Sequence, residues 1–282
     1  MLKGDDGMKE RVTLTIERDI LEKVDQTVNH ADVKNRSHAI EMMLIKAMGE
    51  HKPTMAVILA GSHTKQEDER LPRAMKRVQN KPLLEHNLLL LKKYGVKDIM
   101  IGLGENGDLI KEYFTDGREL DMKITYLEEE EPLGTGGPLY RLRGLVDKTF
   151  LLLNADELKN IDLEDMFEFH KRNNGLITMA LTTIEDPSKY GVAVMNGPKI
   201  MTFVEKPSKE HAPSKLINAG LYLLEPEVLR LIPEGFSMIE QDILPKLAGQ
   251  DKLVGYVFSG QWFDTGTENK LKEAESHWKG FR

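Results

Sequence analysis

The sequence predicts an α/β protein in which a mostly parallel sheet with helices on both faces follows a small β-α-α module. Continuous apolar runs such as 55–60 and 149–153 are typical of buried strands. These runs alternate with segments of helical periodicity, the pattern of a parallel sheet covered by helices. Before residue 50 the pattern changes and predicts only one strand and two short helices. We therefore predict two domains, residues 1–50 and 51–282.

The composition is that of a globular protein without a membrane-spanning segment. Of the 282 residues, 40% are hydrophobic and 30% are charged, and no apolar run approaches the roughly 20 residues that span a bilayer. The net charge of −7 gives no general affinity for nucleic acid or anionic membranes. The sequence contains no Cys, which excludes disulfides and thiolate metal sites. With no apolar signal core at the N-terminus, these features predict a cytoplasmic protein.

Residues 10–48 predict a strand followed by two helices. Apolar side chains alternate along one face of the strand at 11–16, and helical spacing follows over 18–30. A second helix is predicted from an N-cap at Ser37 to about Gly49. Because so short a segment cannot bury a core or pair its strand edge, it must associate with a second chain.

This order of elements resembles the ribbon-helix-helix fold of dimeric bacterial and archaeal transcription factors. The resemblance implies a homodimer or higher oligomer in which the outward side chains of paired strands, here Arg11, Thr13 and Thr15, enter the DNA major groove. Residues 1–49 carry eight Lys or Arg and nine Asp or Glu, and a net charge of −1 contributes little phosphate affinity. DNA binding and dimerisation without DNA both remain open.

The domain boundary is predicted at 50–54, where Pro53 disfavours a continuing helix. We predict strands at 55–60, 97–101, 123–127, 149–153, 175–181, 192–195, 200–204, 216–224 and 253–257. We predict helices at 83–94, 107–114, about 137–145, 163–173, 226–231, 239–247 and from 268 onward.

The first strand of the large domain ends in a small, polar loop. Gly61, Ser62 and Thr64 are followed by the cation Lys65. In an open α/β sheet, ligands lie beyond the carboxyl ends of the strands. The loop is therefore the natural place for a phosphate-bearing ligand, although on this stretch alone an ordinary turn is an equal alternative.

Two acids also stand where strands give way to loops. Asp156 follows the buried strand at 149–153, and Asp264 lies 108 residues later. Two carboxylates that converge would hold Mg²⁺, which prefers hard oxygen ligands and shares them with substrate phosphates. Taken alone, either acid is a turn residue or a helix cap.

Two further motifs carry chemistry. The Leu-Gly-Thr-Gly-Gly turn around Gly134 has no side chains at its glycines. Such a turn lets the backbone pass close to a flat group or enter a helix. Glu205 and Lys206 place an anion and a cation together before a turn, where they could clamp a sugar hydroxyl and a phosphate. The alternative for this pair is a solvated hairpin tip.

In their order along residues 55–270, these motifs resemble the sugar-1-phosphate nucleotidylyltransferases, the nucleotide-sugar pyrophosphorylases such as glucose-1-phosphate thymidylyltransferase and mannose-1-phosphate guanylyltransferase. The matching segments are 57–65, 72–73, 80–82, 132–137, 154–156, 190–192, 204–207, 218–222 and 262–267. The resemblance implies a Rossmann-like nucleotide-diphospho-sugar transferase fold. It also implies transfer of a nucleotidyl group from an NTP to a sugar 1-phosphate, with release of pyrophosphate.

The resemblance assigns roles to individual residues. Mg²⁺ would be held by Asp156 and Asp264, and Lys65, Arg73 and Asp156 would be catalytic. The residues implied to contact the nucleotide are Leu59, Ala60, Gly61, Ser62, Thr64 and Gly134. Those implied to hold the sugar phosphate are Gly191, Glu205, Lys206 and Asn218.

The triphosphate loop departs from the family pattern. Ala60 and His63 stand where Gly is expected, Lys65 replaces the signature Arg, and an acidic run covers 66–69. Arg73 stands for the Lys of the family, and the two cations are not equivalent at a phosphate. The alternative to an enzyme is therefore a degenerate domain that senses a sugar phosphate or nucleotide sugar and regulates DNA binding by the N-terminal module.

Overall fold

The computed structural model describes residues 12–29, 33–48, 52–61, 71–129 and 131–281. The chain divides into two compact units, Met1–Lys52 and Pro53–Arg282. The helices are α1 Arg18–Gln26, α2 Arg36–Met48, α3 Leu83–Lys93, α4 Asp108–Phe114, α5 Gly137–Tyr140, α6 Leu163–Asn173, α7 Leu244–Ala248 and α8 Glu268–His277. The strands are β1 Met55–Leu59, β2 Arg77–Val78, β3 Lys81–Pro82, β4 Asp98–Leu103, β5 Lys123–Glu128, β6 Phe150–Asn154, β7 Glu157–Lys159, β8 Ile177–Thr183, β9 Gly191–Asn196, β10 Lys199–Glu205, β11 Leu216–Leu224, β12 Leu253–Val257 and β13 Trp262–Asp264.

In the N-terminal unit both helices form, but the strand does not. Residues 12–17 lie outside any helix or strand in the single chain. The strand at 11–16 was predicted to pair with a second chain, because a strand needs a second edge, and it stays a prediction. The side chain of Asn35, not Ser37, caps α2 and accepts a hydrogen bond from the backbone N–H of His38 at 3.0 Å. Asn is as good a cap as Ser and stands directly before the first helical residue.

Nine strands of the large unit form one sheet in the order β5-β4-β1-β6-β11-β8-β12-β10-β9. The first four are parallel, as is the β8–β12 pair. The other pairings, which involve β6, β8, β9, β10, β11 and β12, are antiparallel. The sheet is therefore mixed, and the prediction of a mostly parallel sheet holds for one half only. The tight β9–β10 turn allows only an antiparallel pair, whereas a parallel pair needs a long crossover.

Both faces of the central strands are covered by apolar side chains, which explains their continuous apolar sequence. In β1, Ala56 and Ile58 belong to one buried cluster, and Val57 between them belongs to a second cluster on the opposite face. The core therefore lies in two layers, one on each side of the sheet.

Several helices differ from their predicted bounds. The helix predicted to reach residue 145 ends at Tyr140, and turns follow it. The segment 226–231 is a 3-10 helix, and 239–243 is a π-helix that runs into α7. By contrast, α6 has its predicted bounds, because Asp162 caps it by accepting from two backbone N–H groups and Asn174 ends it in the left-handed conformation.

A small second sheet positions the site and was not predicted. It pairs β7 with β13 and places Asp264 opposite Glu157. Each strand has only three residues, too few for a period of two to be recognised.

Among the described residues, no helix is both long enough and apolar enough to cross a bilayer.

Candidate active site

The end of β1 lies at the centre of the carboxyl edge of the parallel half-sheet. Leu59 accepts a hydrogen bond from the backbone N–H of Ala155 at 3.0 Å, and Ala60 donates to Gly102 at 2.9 Å. Gly61 follows at the surface. The predicted phosphate loop therefore starts beside the loop that carries Asp156.

The remaining predicted residues of that loop, Ser62, Thr64 and Lys65, lie outside the described residues, as does Arg11 of the N-terminal module. Their roles stay predictions. In the N-terminal module, Thr13 and Thr15 are both exposed.

The structure brings the two predicted acids together. Asp264 is opposite Glu157, the neighbour of Asp156, in the β7–β13 sheet. The buried hydroxyl of Thr265 donates to the backbone carbonyl of Asp156 at 2.6 Å. The two acids, 108 residues apart in sequence, thus share one corner of the site.

Asp156 carries incompletely neutralised charge. Burial and the neighbouring Glu157 carboxylate raise the pKa of Asp156 from 3.8 to about 6, and Arg73 opposes this rise. The ion pair with Arg73 is long, 3.9 Å between Nη1 and Oδ2. The buried Nε of Arg73 finds no hydrogen-bond partner within the described part of the chain. Arg73 therefore lies beside Asp156 with one unused hydrogen-bond donor, which is expected at an anion-binding site.

Asp264, in contrast, accepts hydrogen bonds from three donors of its own chain. Its Oδ2 accepts from the hydroxyl of Tyr190 at 2.6 Å and from the ammonium of Lys270, and its Oδ1 accepts from the backbone N–H of Gly266 at 2.7 Å. Burial opposes ionisation of Asp264, but the hydrogen bonds from Lys270 and Tyr190 prevail and lower its pKa.

A buried ion pair lies beneath the acids. The ammonium of Lys159 is fully buried, lies 3.5 Å from Glu157 Oε2, and donates to the backbone carbonyl of Gly220 at 3.0 Å. Trp262 Nε1 also donates to Glu157, at 3.0 Å. Burial lowers the pKa of Lys159. The pair ties the Asp156 loop to β11, and removing either partner would leave a buried charge uncompensated.

The loop that carries Asp156 is also held from below by α3. The side-chain N–H₂ of Asn87, which is 2% exposed, donates to the carbonyls of Ala155 and Glu157 at 3.2 and 3.0 Å. These two carbonyls flank Asp156 on both sides. A single amide therefore fixes the backbone from which the Asp156 carboxylate projects.

Replacing Asn87 with Leu should leave those two carbonyls without donors while keeping the side-chain volume. We expect a loss of about 1–3 kcal/mol in the free energy of unfolding and weaker Mn²⁺ binding, because Asp156 loses its support. Urea unfolding and Mn²⁺ titration measure the two effects. Asn173→Leu is the control, since among the described residues the Asn173 side chain donates to the carbonyl of Phe169 in its own helix. Equal effects of the two substitutions would contradict a role for Asn87 at the site.

The Gly-rich turn is held against the segment 237–240. Gly136 N–H donates to the carbonyl of Ser237 at 2.9 Å, and Ser237 N–H donates to that of Leu133 at 3.0 Å. Gly134 has φ +73°, and a Cβ there would lie 2.4 Å from the Ser237 carbonyl oxygen. The chain's own packing thus requires glycine at 134, and its contact with a base stays a prediction.

A buried carboxylate reinforces this turn. The hydroxyl of Thr135 donates to Glu240 Oε2 at 2.7 Å and accepts from the backbone N–H of Ile239 at 2.9 Å. Burial raises the pKa of Glu240, and the Thr135 hydrogen bond opposes this rise.

Of the four residues predicted to hold the sugar phosphate, Gly191, Glu205 and Asn218 lie on β9, β10 and β11, and Lys206 directly follows β10. Gly191 and Glu205 are cross-strand partners in β9 and β10, and a Cβ at Gly191 would lie 2.7 Å from Glu205 Oε2. Lys206 has φ +48°, and its ammonium lies 3.6 Å from Glu205 Oε1 and is largely exposed. The anion and cation therefore lie side by side, and their role as a clamp for the sugar phosphate stays a prediction.

Asn218 is more engaged than its predicted role implies. It lies in a β11 bulge, where its side chain donates to the hydroxyl of Tyr222 at 2.5 Å and accepts from Gly220 N–H at 3.0 Å. These bonds shape the bulge, and direct contact with a sugar phosphate stays a prediction.

Tyr190 joins the two halves of the site. Its backbone carbonyl accepts from Lys206 N–H at 3.0 Å, and its hydroxyl donates to Asp264. Tyr190 therefore contacts Lys206 of the predicted phosphate clamp as well as Asp264 of the acid pair.

The donor chemistry of the acid pair fits a hard divalent cation. Across the described residues, no cluster of three or more His, Asp or Glu side chains forms a complete metal site. Two carboxylates with a long, weak ion pair at Asp156 suit Mg²⁺, which usually takes one or two protein carboxylates and completes its shell with substrate phosphates and water.

Sequence reasoning assigned no role to several residues of this site: Asn87, Glu157, Lys159, Glu240, Lys270 and Tyr190, the last of which was noted only as part of the matching segment 190–192. The sequence did offer a signal for Asn87, because an amide interrupts the apolar run of α3. It offered no signal for Lys270, since a lysine near the start of a surface helix is ordinary.

The mixed α/β sheet, with its polar cluster at the carboxyl edge of the parallel half, has a fold of the nucleotide-diphospho-sugar transferase type. Residues 55–279 match the nucleotidyl transferase family, and the chain belongs to that family. Mannose-1-phosphate guanylyltransferase 1 of Arabidopsis thaliana is 37% identical over 202 residues, which are 69% of this chain and 55% of that protein. The mannose-1-phosphate guanylyltransferase catalytic subunit beta of Danio rerio is 35% identical over 202 residues, 70% of this chain and 56% of that protein. The chain thus spans a little over half the length of these curated relatives.

Solved structures share the fold. A candidate glucose-1-phosphate thymidylyltransferase from Bacillus anthracis, in complex with sucrose, superposes with a TM-score of 0.71 at 25% identity and covers 79% of this chain and 94% of that one. A UDP-glucose pyrophosphorylase in complex with UDP-glucose has a TM-score of 0.69 at 22% identity, with 79% of this chain and 97% of that one covered.

Proposed function

We propose that this chain transfers a nucleotidyl group from an NTP to a sugar 1-phosphate and releases pyrophosphate. The family supports this class of reaction. The observation that carries the proposal is the meeting of Asp156, Asp264 and Arg73 at one corner, with the Glu205–Lys206 pair joined to that corner through Tyr190. Such a site has carboxylates for a metal and cations for two phosphate groups.

In this reaction an oxygen of the sugar phosphate attacks the α-phosphorus of the NTP. The bond from the α-phosphorus to the bridging oxygen breaks, and pyrophosphate leaves with that electron pair. Because the nucleophile is already anionic, the site needs no general base, and catalysis rests on positioning and charge neutralisation. Arg73 and Lys206 would bind phosphate oxygens. Asp156 and Asp264 would hold Mg²⁺, which when bound supplies further neutralisation of the phosphate charge.

The names of the relatives suggest which substrates to test first. Those at 35–37% identity are mannose-1-phosphate guanylyltransferases, so GTP with mannose 1-phosphate is our first pair. The altered triphosphate loop, with Lys65 for the family's Arg, is the part of the chain that most threatens turnover.

Pyrophosphate release tests the proposal directly. The full-length protein is assayed with Mg²⁺ and each of the common NTPs against mannose, glucose and galactose 1-phosphates. We expect faster pyrophosphate release with one nucleotide than with the others, and no release in EDTA. If protein shown to be folded releases no pyrophosphate with any substrate pair, the result would contradict the proposed enzymatic activity. It would then favour the ligand-sensing regulator.

We also propose that the N-terminal module makes the protein a homodimer or higher oligomer. Val12 and Leu14 are 70% and 53% exposed in the single chain. Met42, Met43 and Leu44 of α2 are exposed as well. A unit this small that leaves so many large apolar side chains in water needs a partner, and a second copy could pair its 12–16 segment with this one.

Leu14→Glu should therefore convert the full-length dimer to a monomer, because it places a charge in the shared apolar face. Thr13→Glu is the matched control, because alternation puts Thr13 on the opposite face. Light scattering after gel filtration gives the masses. A monomeric wild type at micromolar concentration, or a dimeric Leu14→Glu variant, would contradict the proposal.

The same variants address DNA. If the exposed Thr13 and Thr15 contact bases, the wild type should retain members of a random duplex pool on a filter, and dimeric Thr13→Glu should not. A dimeric wild type that retains no duplex would favour dimerisation without DNA, and equal retention by both proteins would contradict base contacts by Thr13.

A further inference from the structure

The ammonium of Lys270 contacts Asp264, one of the two predicted metal ligands, and its environment differs from that of Arg73, the cation beside Asp156. Its ammonium donates both to Asp264 Oδ2 and to the hydroxyl of Tyr190, and it lies 5.0 Å from the centre of the Tyr190 ring. Asp156, by contrast, has an ion pair of 3.9 Å with Arg73. One carboxylate of the acid pair is thus neutralised by the chain, and the other is not.

The backbone position of Lys270 makes Asp264 its main stabilising partner. Lys270 lies in the first turn of α8, and its backbone N–H faces the N-cap hydroxyl of Thr267 at 3.4 Å. A helix N-terminus disfavours a cation, so this ammonium is stable there because the Asp264 carboxylate and the Tyr190 ring face it. The Lys270 side chain is still 29% exposed, and its flexible stem allows the ammonium to leave the carboxylate for water.

An ammonium and a divalent cation at the same carboxylate oxygen repel each other. Asp264 Oδ2 accepts from Tyr190 and Lys270, and Oδ1 accepts from Gly266 N–H. A metal at either oxygen of Asp264 would share that carboxylate with the Lys270 ammonium, whereas at Asp156 it would meet the more distant Arg73.

We propose that Lys270 is an internal countercation of Asp264 that competes with the divalent metal for this carboxylate and so lowers the metal affinity of the site. The inference rests on the proposed function, because it takes Asp156 and Asp264 as the metal carboxylates. The opposing interpretation is that Lys270 and Tyr190 hold Asp264 in the orientation that the metal needs. The two interpretations predict opposite changes when the ammonium is removed.

The test is Mn²⁺ binding by the full-length protein without nucleotide, with free Mn²⁺ measured by electron paramagnetic resonance. Lys270→Met removes the ammonium and keeps the length of the stem, and Lys270→Ala serves if the Met variant does not fold. We expect Mn²⁺ to bind about tenfold more tightly to either variant, because the repulsion between the ammonium and the metal is removed from a partly solvated site. Lys272→Met is the matched control, because Lys272 is exposed on the same helix and its loss changes the net charge equally. It should shift the affinity by less than about twofold, since surface charges are screened.

Asp156→Ala tests the metal site itself, separately from the role of Lys270. If Asp156→Ala weakens Mn²⁺ binding while Lys270→Met leaves it unchanged or also weakens it, the inference about Lys270 is wrong and the proposed function stands. If Asp156→Ala leaves Mn²⁺ binding unchanged, the acid pair is not the metal site and both are wrong.

Discussion

Asp156→Asn is expected to lower the kcat/KM of pyrophosphate release by about 10³-fold or more, since removal of a single electrostatic group from an active site costs 10²–10³ and this group also carries the metal. The substitution keeps the shape of the side chain and removes only its charge. Initial rates with the preferred substrate pair measure the effect. Asp147→Asn, at an exposed position outside the site, should keep full activity.

The same substitution should raise stability at neutral pH. The pKa of Asp156 is about 6 in the folded protein and 3.8 for the free side chain, so folding favours the protonated carboxyl. Its stabilising contribution is complete below pH 3.8 and is lost as the pH rises through 6. A charge at this position therefore costs free energy at neutral pH, on the order of 1 kcal/mol once solvent contact is allowed for.

Thermal melts in EDTA across the pH range check this effect. The Asn variant should melt above the wild type at pH of about 7.5, and the difference should fade toward about pH 4. An active Asp156→Asn enzyme would remove this residue from the catalytic group. A variant less stable than the wild type at neutral pH would contradict the electrostatic description of the site.

Gly134→Ala is expected to destabilise the protein strongly. The substitution meets two obstacles: a left-handed backbone with φ +73° and the Ser237 carbonyl oxygen 2.4 Å from the new Cβ. A left-handed non-glycine residue costs roughly 1–2 kcal/mol, and overpacking adds roughly 1–3 kcal/mol. We expect a total of about 3 kcal/mol, together with a raised KM for the nucleotide because the turn must shift.

Gly144→Ala separates the two contributions. Gly144 has nearly the same φ, +75°, but a Cβ there would meet nothing within 4 Å. It should lose only the backbone cost of roughly 1 kcal/mol and leave the nucleotide KM unchanged. Urea unfolding of both variants gives the comparison, and equal losses would mean that Ser237 moves aside freely.

Strands and helices with a clear period were predictable, and short pairings were not. α6 and β11 have their predicted bounds, since their apolar patterns are long and end at turn or cap residues. The three-residue strands β7 and β13 carry no such pattern, yet they bring Asp264 to Asp156. The cap at Asn35 was assigned to Ser37, because both residues are strong caps and local sequence does not choose between them.

The site shows the same division. The two acids, the Gly-rich turn and the Glu205–Lys206 pair were identified from local motifs. No role was predicted for Tyr190 or Lys270, because their roles depend on contacts with Asp264. Asp264 lies 74 residues beyond Tyr190 and is separated from Lys270 by a loop.

By itself, the sequence determined the alternation of buried strands and helices, the motifs of the large domain and the pair of acids placed after two strands. Each of these depends on residues close together in the chain, where periodicity and turn chemistry act. Tertiary structure alone decided that the sheet is mixed, that α3 supports the Asp156 loop through Asn87, and that Lys270 neutralises one acid while Asp156 retains a raised pKa. These features depend on which distant side chains meet and how far water is excluded, and no local pattern encodes either.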